Sequence, residues 1–397
     1  MEYEAMTSRW SALPLKDVIG FKKGKKPKVL FYTPIADGLP YLLIENFGKV
    51  ATGYTNDKTC GMACEQDTLL VCDGARTGLA SIGHRGYIGS TLAALSPDVS
   101  RILPEYLYYF IREKFTLLNS RTRGATIPHL DRELLFGLNI PLPQLNEQRR
   151  IVDILSRADG IVRLRREAEK KAAELIPALF LELFGDPATN PKGWAVALLP
   201  DVLSRPFKNG LYLPKEQYAP EDSAEGVEMV HMSDAFYGEV KRGKLRRVLA
   251  NEKHINEYGL TNHDLLVARR SLTFEGAAKL CGIPSSEKPL IFESSFIRLS
   301  PRDEIVLTDY LLFYLNNENT RRAYVRSRIN GITISGINQA ALGQIPVMLP
   351  NLTVQQNFVG LVDQIRSIQS QQSAATAKAQ ATFDALLARC FQKPTVA

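Results

Sequence analysis

The chain has 397 residues, of which 45% are hydrophobic and 23% charged, a composition typical of a folded globular protein and not of a disordered one. It contains no apolar run long enough to span a membrane, and its first residues lack the basic and apolar segments of an export signal, so we expect a cytoplasmic protein without membrane contact. The five cysteines, an odd number, argue against a disulfide framework, and the net charge of +7 is moderate.

The first feature along the chain is a group of lysines around a glycine, in the segment GFKKGKKPK. Its members are Lys22, Lys23, Lys25, Lys26 and Lys28. A later basic group comprises Arg242, Lys244, Arg246 and Arg247. Several such groups in one chain indicate a protein that binds a phosphate backbone, although each one alone is equally compatible with a solvated surface loop. We therefore treat both groups as candidate DNA contacts.

Two segments, DTLLVCDGARTGLASIG and HDLLVARRSLTFEGAAKL, each read as an apolar strand that ends in a loop with arginine and glycine. Glycine lets a backbone approach a ligand closely, and arginine is the commonest bidentate partner of guanine. Arg76, Arg269 and Arg270 are therefore candidate base contacts, whereas the lysines are expected to contact phosphate. The alternative is that these arginines pair with nearby acids such as Asp73 or Glu275.

The segments PEYLYYFIREKF and TDYLLFYLNNENTRRAYV align as amphipathic aromatic helices, with Tyr106 over Tyr310. Their aromatic faces fit a hydrophobic core better than a base-stacking surface. Alternating apolar runs such as LPYLLIENF and GVEMVHMSD read as strands. Each globular part is therefore predicted to mix helices and strands.

A long helix is predicted from Glu147, and positions spaced alternately by four and three residues form a coiled-coil seam along it. The seam consists of Ile151, Leu155, Ala158, Val162, Arg165, Glu169, Ala172, Ile176, Leu179 and Leu183. The same spacing recurs 207 positions later, and both seams are polar in the middle. If the helices pack antiparallel, as a globular return connection favours, polar residues of the two seams meet. These are Arg165 and Glu169 on one helix and Gln369, Gln372 and Thr376 on the other.

Local signals mark the ends of these helices. Asn146 and Thr353 are predicted N-caps, the latter in a capping box with Gln356, and Gly185 is a predicted C-terminal stop. Pro177 lies inside the first helix and is expected to bend it. About 38 residues at a rise of about 1.5 Å each give a rod of about 57 Å.

The whole pattern is an internal repeat. When residues 331–391 are placed over residues 124–184 without a gap, 16 of 61 aligned positions are identical. The two tryptophans of the chain, Trp10 and Trp194, mark the start of the two copies. Two similar globular parts joined by two similar helices give one chain an approximate twofold symmetry, which dimeric DNA readers use to address two half-sites. Because the globular parts differ in sequence, we expect a bipartite target with unlike halves and an uncontacted spacer.

Five segments resemble one known family, the specificity subunits of type I restriction-modification systems. They are GATIPHL at 124–130, IPLPQLNEQRRIV at 140–152, ALFLELFGDPATNPKGW at 178–194, and the weaker second copies GITISGI and LPNLTVQQ. The resemblance covers nearly the whole chain. It implies an α+β fold with two mixed α/β target recognition domains, residues 1–143 and 186–350, and two long antiparallel helices in conserved segments 144–185 and 351–397.

The resemblance also implies a function and partners. Members of this family carry no catalytic chemistry themselves; they bind double-stranded DNA, direct two methyltransferase subunits to adenine N6 and assemble with restriction subunits. The junctions that begin the helices then place Glu147, Gln148 and Gln355 as candidate contacts with the methyltransferase. The role of GATIPHL is left open between a structural corner and a partner contact.

Motifs for catalysis are missing from the sequence. It has neither the (Asp/Asn/Ser)-Pro-Pro-aromatic motif of amino-methyltransferases nor a nucleotide-binding P-loop, and Glu169 with Lys171 reads as a solvated helix face. The cysteines between 60 and 72 match no common zinc spacing. We therefore predict no catalytic residue, cofactor or metal. An enzyme with an unrecognised site is one alternative; a protein-interaction adaptor with a coiled-coil spacer, which predicts no salt-dependent affinity for duplex DNA, is the other.

Overall fold

The computed structural model of the chain describes residues 10–124, 128–220, 223, 225–235, 240–331 and 333–391. Its contacts divide the chain into two compact units. The first unit comprises residues 1–169 and 372–397, and the second comprises residues 170–371. Each unit thus contains one predicted recognition domain together with parts of both long helices. No helix in the described part of the chain is long and apolar enough to cross a membrane.

The first unit contains ten strands and three short helices among its described residues, besides its share of the long helices. The strands are β1 (Ala12–Pro14), β2 (Ile19–Lys23), β3 (Leu39–Leu42), β4 (Tyr54–Thr55), β5 (Met62–Ala63), β6 (Thr68–Val71), β7 (Ala80–Ser81), β8 (Gly86–Ile88), β9 (Leu92–Pro97) and β10 (Asn139–Pro141). The helices are α1 (Pro104–Glu113), α2 (Phe115–Ser120) and α3 (Arg132–Gly137).

Two sheets and a strand pair organise these strands. One sheet has the order β2-β9-β6-β7 with antiparallel neighbours, and the other has the order β4-β3-β8-β5, in which β3 and β8 are parallel. The pair β1-β10 closes the unit next to the long helix. The segments LPYLLIENF and DTLLVCDGARTGLASIG supply β3 and β6, so both predicted strands are confirmed.

The long helix α4 spans Leu145–Phe184 and its counterpart α9 spans Leu352–Phe391. Between them the second unit contains β11 (Ala195–Leu198), β12 (Leu203–Asn209), β13 (Val227–Val230), β14 (Arg247–Val248), α5 (Glu252–Tyr258), β15 (Leu265–Ala268), β16 (Arg270–Ser271), β17 (Leu280–Gly282), β18 (Leu290–Phe292), β19 (Phe296–Pro301), α6 (Thr308–Asn316), α7 (Glu318–Thr320), a π-helical turn (Arg321–Val325), β20 (Ser335–Gly336), α8 (Gln339–Gly343) and β21 (Pro346–Leu349). Short 3-10 turns connect several elements in both units.

The second unit repeats the topology of the first. Its main sheet has the order β12-β19-β15-β17, its smaller sheet β14-β13-β18 contains the parallel pair β13-β18, and β11 pairs with β21 as β1 does with β10. The ribbon β16-β20 corresponds to the isolated bridge between Asp73 and His129 in the first unit. The internal repeat predicted from the sequence is therefore a repeat of fold, and the α+β class is confirmed.

The predicted N-caps of the long helices are wrong by two residues. Both helices begin earlier, at Leu145 and Leu352, so Asn146 and Thr353 lie within the first turn. The side chain that caps α9 is that of Asn351, whose Oδ1 accepts from the Val354 amide at 2.9 Å. At the other end, Gly185 has a φ of +80°, as predicted for the residue that stops α4. The helix continues through Pro177, and the bend there stays a prediction.

The two long helices run antiparallel within each unit. In the first unit Arg112 forms an ion pair with Asp159 of α4 at 2.9 Å and lies 4.4 Å from the ring centroid of Phe383 of α9, while further along α4 Arg166 donates to Gln380 at 2.8 Å. Higher residue numbers on α4 therefore lie beside lower residue numbers on α9, as in an antiparallel pair. Arg165 is exposed, and the contact between Arg166 and Gln380 lies outside the predicted seam, so the meeting of the polar seam residues stays a prediction.

The second unit shows the same direction independently. Gln369 of α9 donates to the carbonyl of Ala172 at 2.6 Å, and Phe184 near the end of α4 stacks edge-on against Phe358 near the start of α9, with centroids 5.1 Å apart. Phe180 and Phe184 are fully buried. These aromatic residues carry the helix end into the core of the unit.

Equivalent tyrosines connect α1 and α6 to the rest of their units. Tyr106 and Tyr310 are both completely buried, and their hydroxyls donate to the carbonyls of Pro141 and Met348, each at 3.0 Å. Pro141 and Met348 are related by the same shift of 207 positions. The aromatic helices are therefore core elements, as predicted, and their rings are not available to stack on bases.

Candidate nucleic-acid interface

The predicted DNA contacts of the first unit gather at one edge of its main sheet. Strands β2 and β6 both run antiparallel to β9, so their carboxyl ends lie side by side. The register places Lys23 opposite Ala93 and Val71 opposite Leu92 at this edge. We call the segments that leave it, residues 23–26 and 72–77, the first edge. It exists because β9 separates two parallel strands that end together.

A tight backbone approach holds the lysine segment of the first edge. The amide of Gly24 donates to the carbonyl of Leu92 at 2.9 Å. A Cβ at Gly24 would meet the carbonyl oxygens of Gly89 and Ile88 at 2.2 and 2.3 Å. Only glycine fits there, because any side chain would collide with rigid backbone. The glycine within GFKKGKKPK thus fixes the path of the lysines.

The GATIPHL segment anchors the arginine loop of the first edge. The Leu130 amide donates to the carbonyl of Cys72 at 2.8 Å, and the Gly74 amide donates to the carbonyl of Pro128 at 2.9 Å. Thr77 closes the loop by donating from its hydroxyl to the Gly74 carbonyl at 2.7 Å. The end of the motif is therefore a structural clamp, while its residues 125–127 lie outside the described part of the chain.

An acidic residue organises the charges of the first edge. Asp73 accepts from Lys23 at 2.6 Å through one carboxylate oxygen and contacts Nδ1 of His129 at 2.7 Å through the other. Partial burial opposes ionisation of Asp73, but the hydrogen bonds from His129 and Lys23 outweigh it and lower the pKa of the carboxyl. Asp73 is thus occupied, and the alternative in which it pairs with Arg76 is wrong.

The remaining predicted contacts of the first unit face solvent. Lys25, Lys26 and Arg76 are exposed and make no hydrogen bond or ion pair through their side chains to any residue that the structure describes. Lys22 donates to the carbonyl of Met62 at 3.3 Å and is also exposed. These four cations are available to a ligand, and Lys23 presents its ammonium group partly neutralised by Asp73.

The second unit builds an equivalent edge from different side chains. Strands β12 and β15 flank β19, and Gly210 repeats the close approach of Gly24, since a Cβ at Gly210 would lie 2.0 Å from the carbonyl oxygen of Glu293. The Ile337 amide donates to the carbonyl of Arg269 at 3.0 Å, as that of Leu130 does to Cys72. We call residues 209–212 and 269–277 the second edge.

Arg269 and Arg270 lie on this second edge. Arg269 is half-buried and donates to the carbonyl of Ser294 at 3.3 Å. Arg270 is exposed, and its side chain has no hydrogen-bond or ion-pair partner among the described residues. Glu275 pairs instead with Arg326 at 3.0 Å, so the alternative in which Glu275 neutralises these arginines is wrong. Arg270 is therefore free to reach outward.

The two edges differ in charge at equivalent positions. Arg270 pairs with Gly336 across the ribbon, and Asp73 pairs with His129 in the same way. Gly336 lies 207 positions after His129, so the two pairs are equivalent in the repeat. Where the first edge has Lys23, the second has Asn209, whose Oδ1 accepts from Gln339 at 2.8 Å. Among the described residues, the same backbone frame thus presents an acid bonded to Lys23 and His129 in one unit and an arginine without a side-chain partner in the other.

Two of the predicted arginine contacts make hydrogen bonds within the fold. Arg242 forms an ion pair with the buried Glu228 at 2.7 Å and donates to the carbonyls of Lys288 and Pro289. Arg247 donates to the carbonyls of Glu225 and Gly226. The pairing with the buried Glu228 corrects the prediction of Arg242 as a DNA contact, whereas Arg247 is half-buried with solvent-exposed hydrogen bonds and stays a candidate. Arg246, between them, is exposed without a side-chain hydrogen bond or ion pair to a described residue and stays a candidate.

Gln148 and Gln355 are also structural. Both are completely buried, and each makes three hydrogen bonds to backbone. The partners of Gln148 are the Leu103 amide and the carbonyls of Arg101 and Pro143; those of Gln355 are the Leu307 amide and the carbonyls of Ile305 and Pro350. Neither side chain can touch a partner protein, which corrects that prediction. Glu147, half-buried and 3.6 Å from Arg150, stays a candidate.

Sequence reasoning missed the role of His129 and of the ribbon β16-β20. The signal was available, since the shift of 207 places His129 over Gly336 directly beside the arginine loops. In the described part of the chain no cluster of histidine, cysteine and acidic residues could hold a metal ion. The arrangement can bind an extended polyanion along cationic edges.

Comparisons with known proteins were made on the whole chain. The family model of the type I restriction modification DNA specificity domain matches residues 7–174 and again residues 191–376. The type I restriction enzyme MjaVIII specificity subunit of Methanocaldococcus jannaschii is 25% identical over 378 residues, 90% of this chain and 86% of that protein. The EcoBI specificity subunit of Escherichia coli is 21% identical over 417 residues, 96% and 85% of the two chains.

Two solved structures share the fold. One belongs to a study of complex assembly and conformational transition of the type I R-M system, with a TM-score of 0.62 and 19% identity over 97% of this chain and 98% of that one. The other is the type I restriction-modification S subunit from M. genitalium, with a TM-score of 0.55 and 16% identity over 98% and 97% of the two chains. At these identities the likeness concerns the fold.

Proposed function

This chain belongs to the family of type I restriction-modification specificity subunits, and from that premise we propose that it reads a bipartite, asymmetric DNA target, one half-site with each unit. Membership of the family implies DNA target specificity without catalytic chemistry in the chain itself. The division of the target into two unlike halves is the finer statement, and it depends on the two edges.

The proposal is supported by a contrast: the backbone hydrogen bonds that hold the two edges recur in both units, whereas the outward side chains differ. The backbone bonds that hold the two edges recur in both units, from Leu130 to Cys72 and from Ile337 to Arg269. The outward residues do not recur, since Asp73 in one unit stands where Arg270 stands in the other. A frame that is preserved while its outward chemistry changes is suited to reading two different short sequences.

Arginine and lysine divide the work at these edges. Arg270 and Arg76 can each address guanine O6 and N7 with two parallel N–H donors, which discriminates against a wrong base by about 1–3 kcal/mol. The exposed Lys25 and Lys26 follow the end of β2 and would bind phosphate, which positions the duplex without specifying its sequence. We assign Lys22 and Lys23 to the DNA-binding surface of the first unit, and Arg246 and Arg269 to that of the second.

The partners of the chain follow from its family. We propose that it acts with methyltransferase subunits, two of them by virtue of the repeat, that modify adenine N6, and with restriction subunits. The helices α4 and α9, of 40 residues each, would serve as the spacer between the two half-sites. Glu147 at the start of α4 is the remaining candidate for a methyltransferase contact.

The experiment is to co-express the chain with its methyltransferase subunit in a host that lacks adenine methylation and to map N6-methyladenine by single-molecule sequencing. The expected result is one split motif with two unlike halves and a fixed gap. A host with the methyltransferase subunit alone is the control. A motif of one continuous block would contradict the division of reading between two units.

Duplex binding by the purified complex separates DNA reading from an adaptor role. Lysine and arginine side chains that bind phosphates release the counterions condensed on DNA. Affinity for the mapped duplex should therefore fall steeply with salt, about tenfold or more between 50 and 200 mM. The Lys25→Ala/Lys26→Ala variant should show a shallower slope on specific and scrambled duplexes alike. An affinity that ignored salt and sequence would support the adaptor and overturn the proposal.

A further inference from the structure

The ribbon β16-β20 of the second unit carries apolar side chains into solvent. Leu272 is 86% exposed and Ile334 is 53% exposed. The ribbon pairs Arg270 with Gly336 and Ser271 with Ser335. Leu272 directly follows the first strand and Ile334 directly precedes the second. Two large aliphatic residues thus stand at the end of a two-stranded ribbon, next to the unpaired guanidinium of Arg270.

The ribbon holds these residues in a defined position. Ser271 is buried, and its hydroxyl accepts from the Thr273 amide at 3.1 Å. On the other strand, Gly336 exchanges both backbone hydrogen bonds with Asn330, at 2.9 and 2.7 Å. The turn between them requires glycine, because Gly331 has a φ of +110° and a Cβ there would lie 2.0 Å from the carbonyl oxygen of Ile334. The exposed aliphatic groups are therefore fixed by backbone.

Leu272 follows β16 at a bend and Ile334 precedes β20 at a bend, and Ser271 is buried between the exposed Arg270 and Leu272. Two residues of even fully extended chain span at most about 6.6 Å, so Leu272 lies within two base-pair steps of about 3.4 Å from Arg270. The major groove admits a two-stranded ribbon, and it displays the guanine acceptors that arginine binds and the thymine methyl group that aliphatic side chains contact.

We infer that Leu272 and Ile334 are specificity-determining residues that contact the 5-methyl group of a thymine within two base pairs of the base bound by Arg270. This inference rests on the proposed function and names the chemistry of one half-site. Fixed aliphatic surface beside a cation fits the edge of a T·A pair, where a methyl group can be desolvated next to a phosphate-lined groove.

The first unit cannot read a methyl group in the same way with its described residues. The positions equivalent to Arg270 and Gly336 are Asp73 and His129, which bond to each other. The loop that follows is also shorter in the first unit. The Gly78 amide bonds back to the Val71 carbonyl and the Ala278 amide bonds back to the Ala268 carbonyl, so the first loop is three residues shorter. We therefore assign the aliphatic contact to the second half-site, while Ile127, which the repeat places over Ile334, lies outside the described residues.

Thymine-to-deoxyuridine substitution tests the contact, because it removes only the methyl group. Duplexes with the mapped motif would carry deoxyuridine at each thymine of the half-site that loses specificity in the Arg269→Ala/Arg270→Ala variant. Fluorescence anisotropy would give the Kd of the complex formed by the chain and its methyltransferase. At one thymine the substitution should weaken wild type about fourfold, as expected for one buried methyl group. Leu272→Ala and Ile334→Ala should each lower affinity for the thymine duplex and abolish or reduce its preference over deoxyuridine.

Leu198→Ala, which removes a 48% exposed leucine from β11 of the same unit, is the matched control and should keep the preference. A half-site without thymine, or a preference that survives in both variants, would overturn the inference while specific binding upheld the proposed function. If the variants lost the methyltransferase subunit during purification instead, the ribbon would be a protein contact and the inference would be wrong. Wild type that failed to distinguish the motif from a scrambled duplex would refute the proposed function itself.

Discussion

The edges of the two units occupy equivalent places in the fold but carry opposite charges at their centre. In the first unit Asp73 holds Lys23 and His129; in the second, Arg270 stands alone and Gly336 faces it. The bonds that fix both loops run from backbone to backbone and are indifferent to side-chain identity. Outward residues of this frame can therefore be exchanged at small cost to folding.

The largest effects should come from the pair that does not differ between the units. Gln148→Leu and Gln355→Leu each remove three hydrogen bonds and leave buried backbone groups unpaired, so each should lower the free energy of unfolding of its unit by about 4 kcal/mol. Urea unfolding with hydrogen exchange would locate the loss. Gln356→Leu, an exposed neighbour, is the control. Wild-type stability with lost methyltransferase binding would restore the partner-contact role.

Arg242 and Arg246 allow a structural role to be distinguished from a DNA contact within the second unit. Arg242→Ala leaves the buried Glu228 without its partner and should cost about 3 kcal/mol of stability. Arg246→Ala should leave stability unchanged and reduce the slope of log affinity against log salt by about one. Thermal unfolding and a salt series of anisotropy titrations measure both. If Arg242→Ala changed DNA affinity at unchanged stability, the structural assignment of Arg242 would fail.

The residue at which each arginine loop bonds back to its strand offers a third contrast. Gly78 and Ala278 stand at the equivalent position, each with its amide bonded to the strand that begins the loop, and both have positive φ, at +93° and +57°. Gly78→Ala should destabilise by about 2 kcal/mol, because a Cβ there would also lie 2.8 Å from that of Leu118. Ala278→Gly should change stability by less than about 1 kcal/mol, because relief of strain offsets the lost methyl group and the added chain entropy. Equal effects of the two changes would contradict the equivalence.

The smallest expected effect is a pH dependence confined to the first edge. The pKa of Asp73 is lowered from 3.8 in the fold, so its contribution to stability is present above that value and is lost as pH falls through the folded pKa. Asp73→Asn should therefore lower the melting temperature slightly at neutral pH, and the difference should vanish in acid. Arg270→Gln in the other unit should give a difference independent of pH in the same range. A pH-independent Asp73→Asn effect would exclude a stabilising role for the ionised Asp73 carboxylate.

Much of this fold could be predicted from the sequence, and the errors have physical causes. Repeats, seams and strands were visible because periodic burial leaves periodic apolar residues, as with Tyr106 and Tyr310. Whether an arginine is structural or free could not be predicted from the sequence. Arg242 and Arg246 lie in one basic run, and they differ in that Glu228 packs against Arg242 alone. Likewise Gln148 resembles a surface glutamine until α1 and the junction supply its partners.

The central claim is that each unit reads its own half-site through its own edge. The most direct test is to map methylated motifs in vivo for two variants beside wild type, Lys23→Ala/Arg76→Ala in the first edge and Arg269→Ala/Arg270→Ala in the second. We predict that each variant relaxes one half of the motif, that the halves are opposite ones, and that the gap is unchanged. Loss of specificity in the same half, or in both halves equally, would contradict the account.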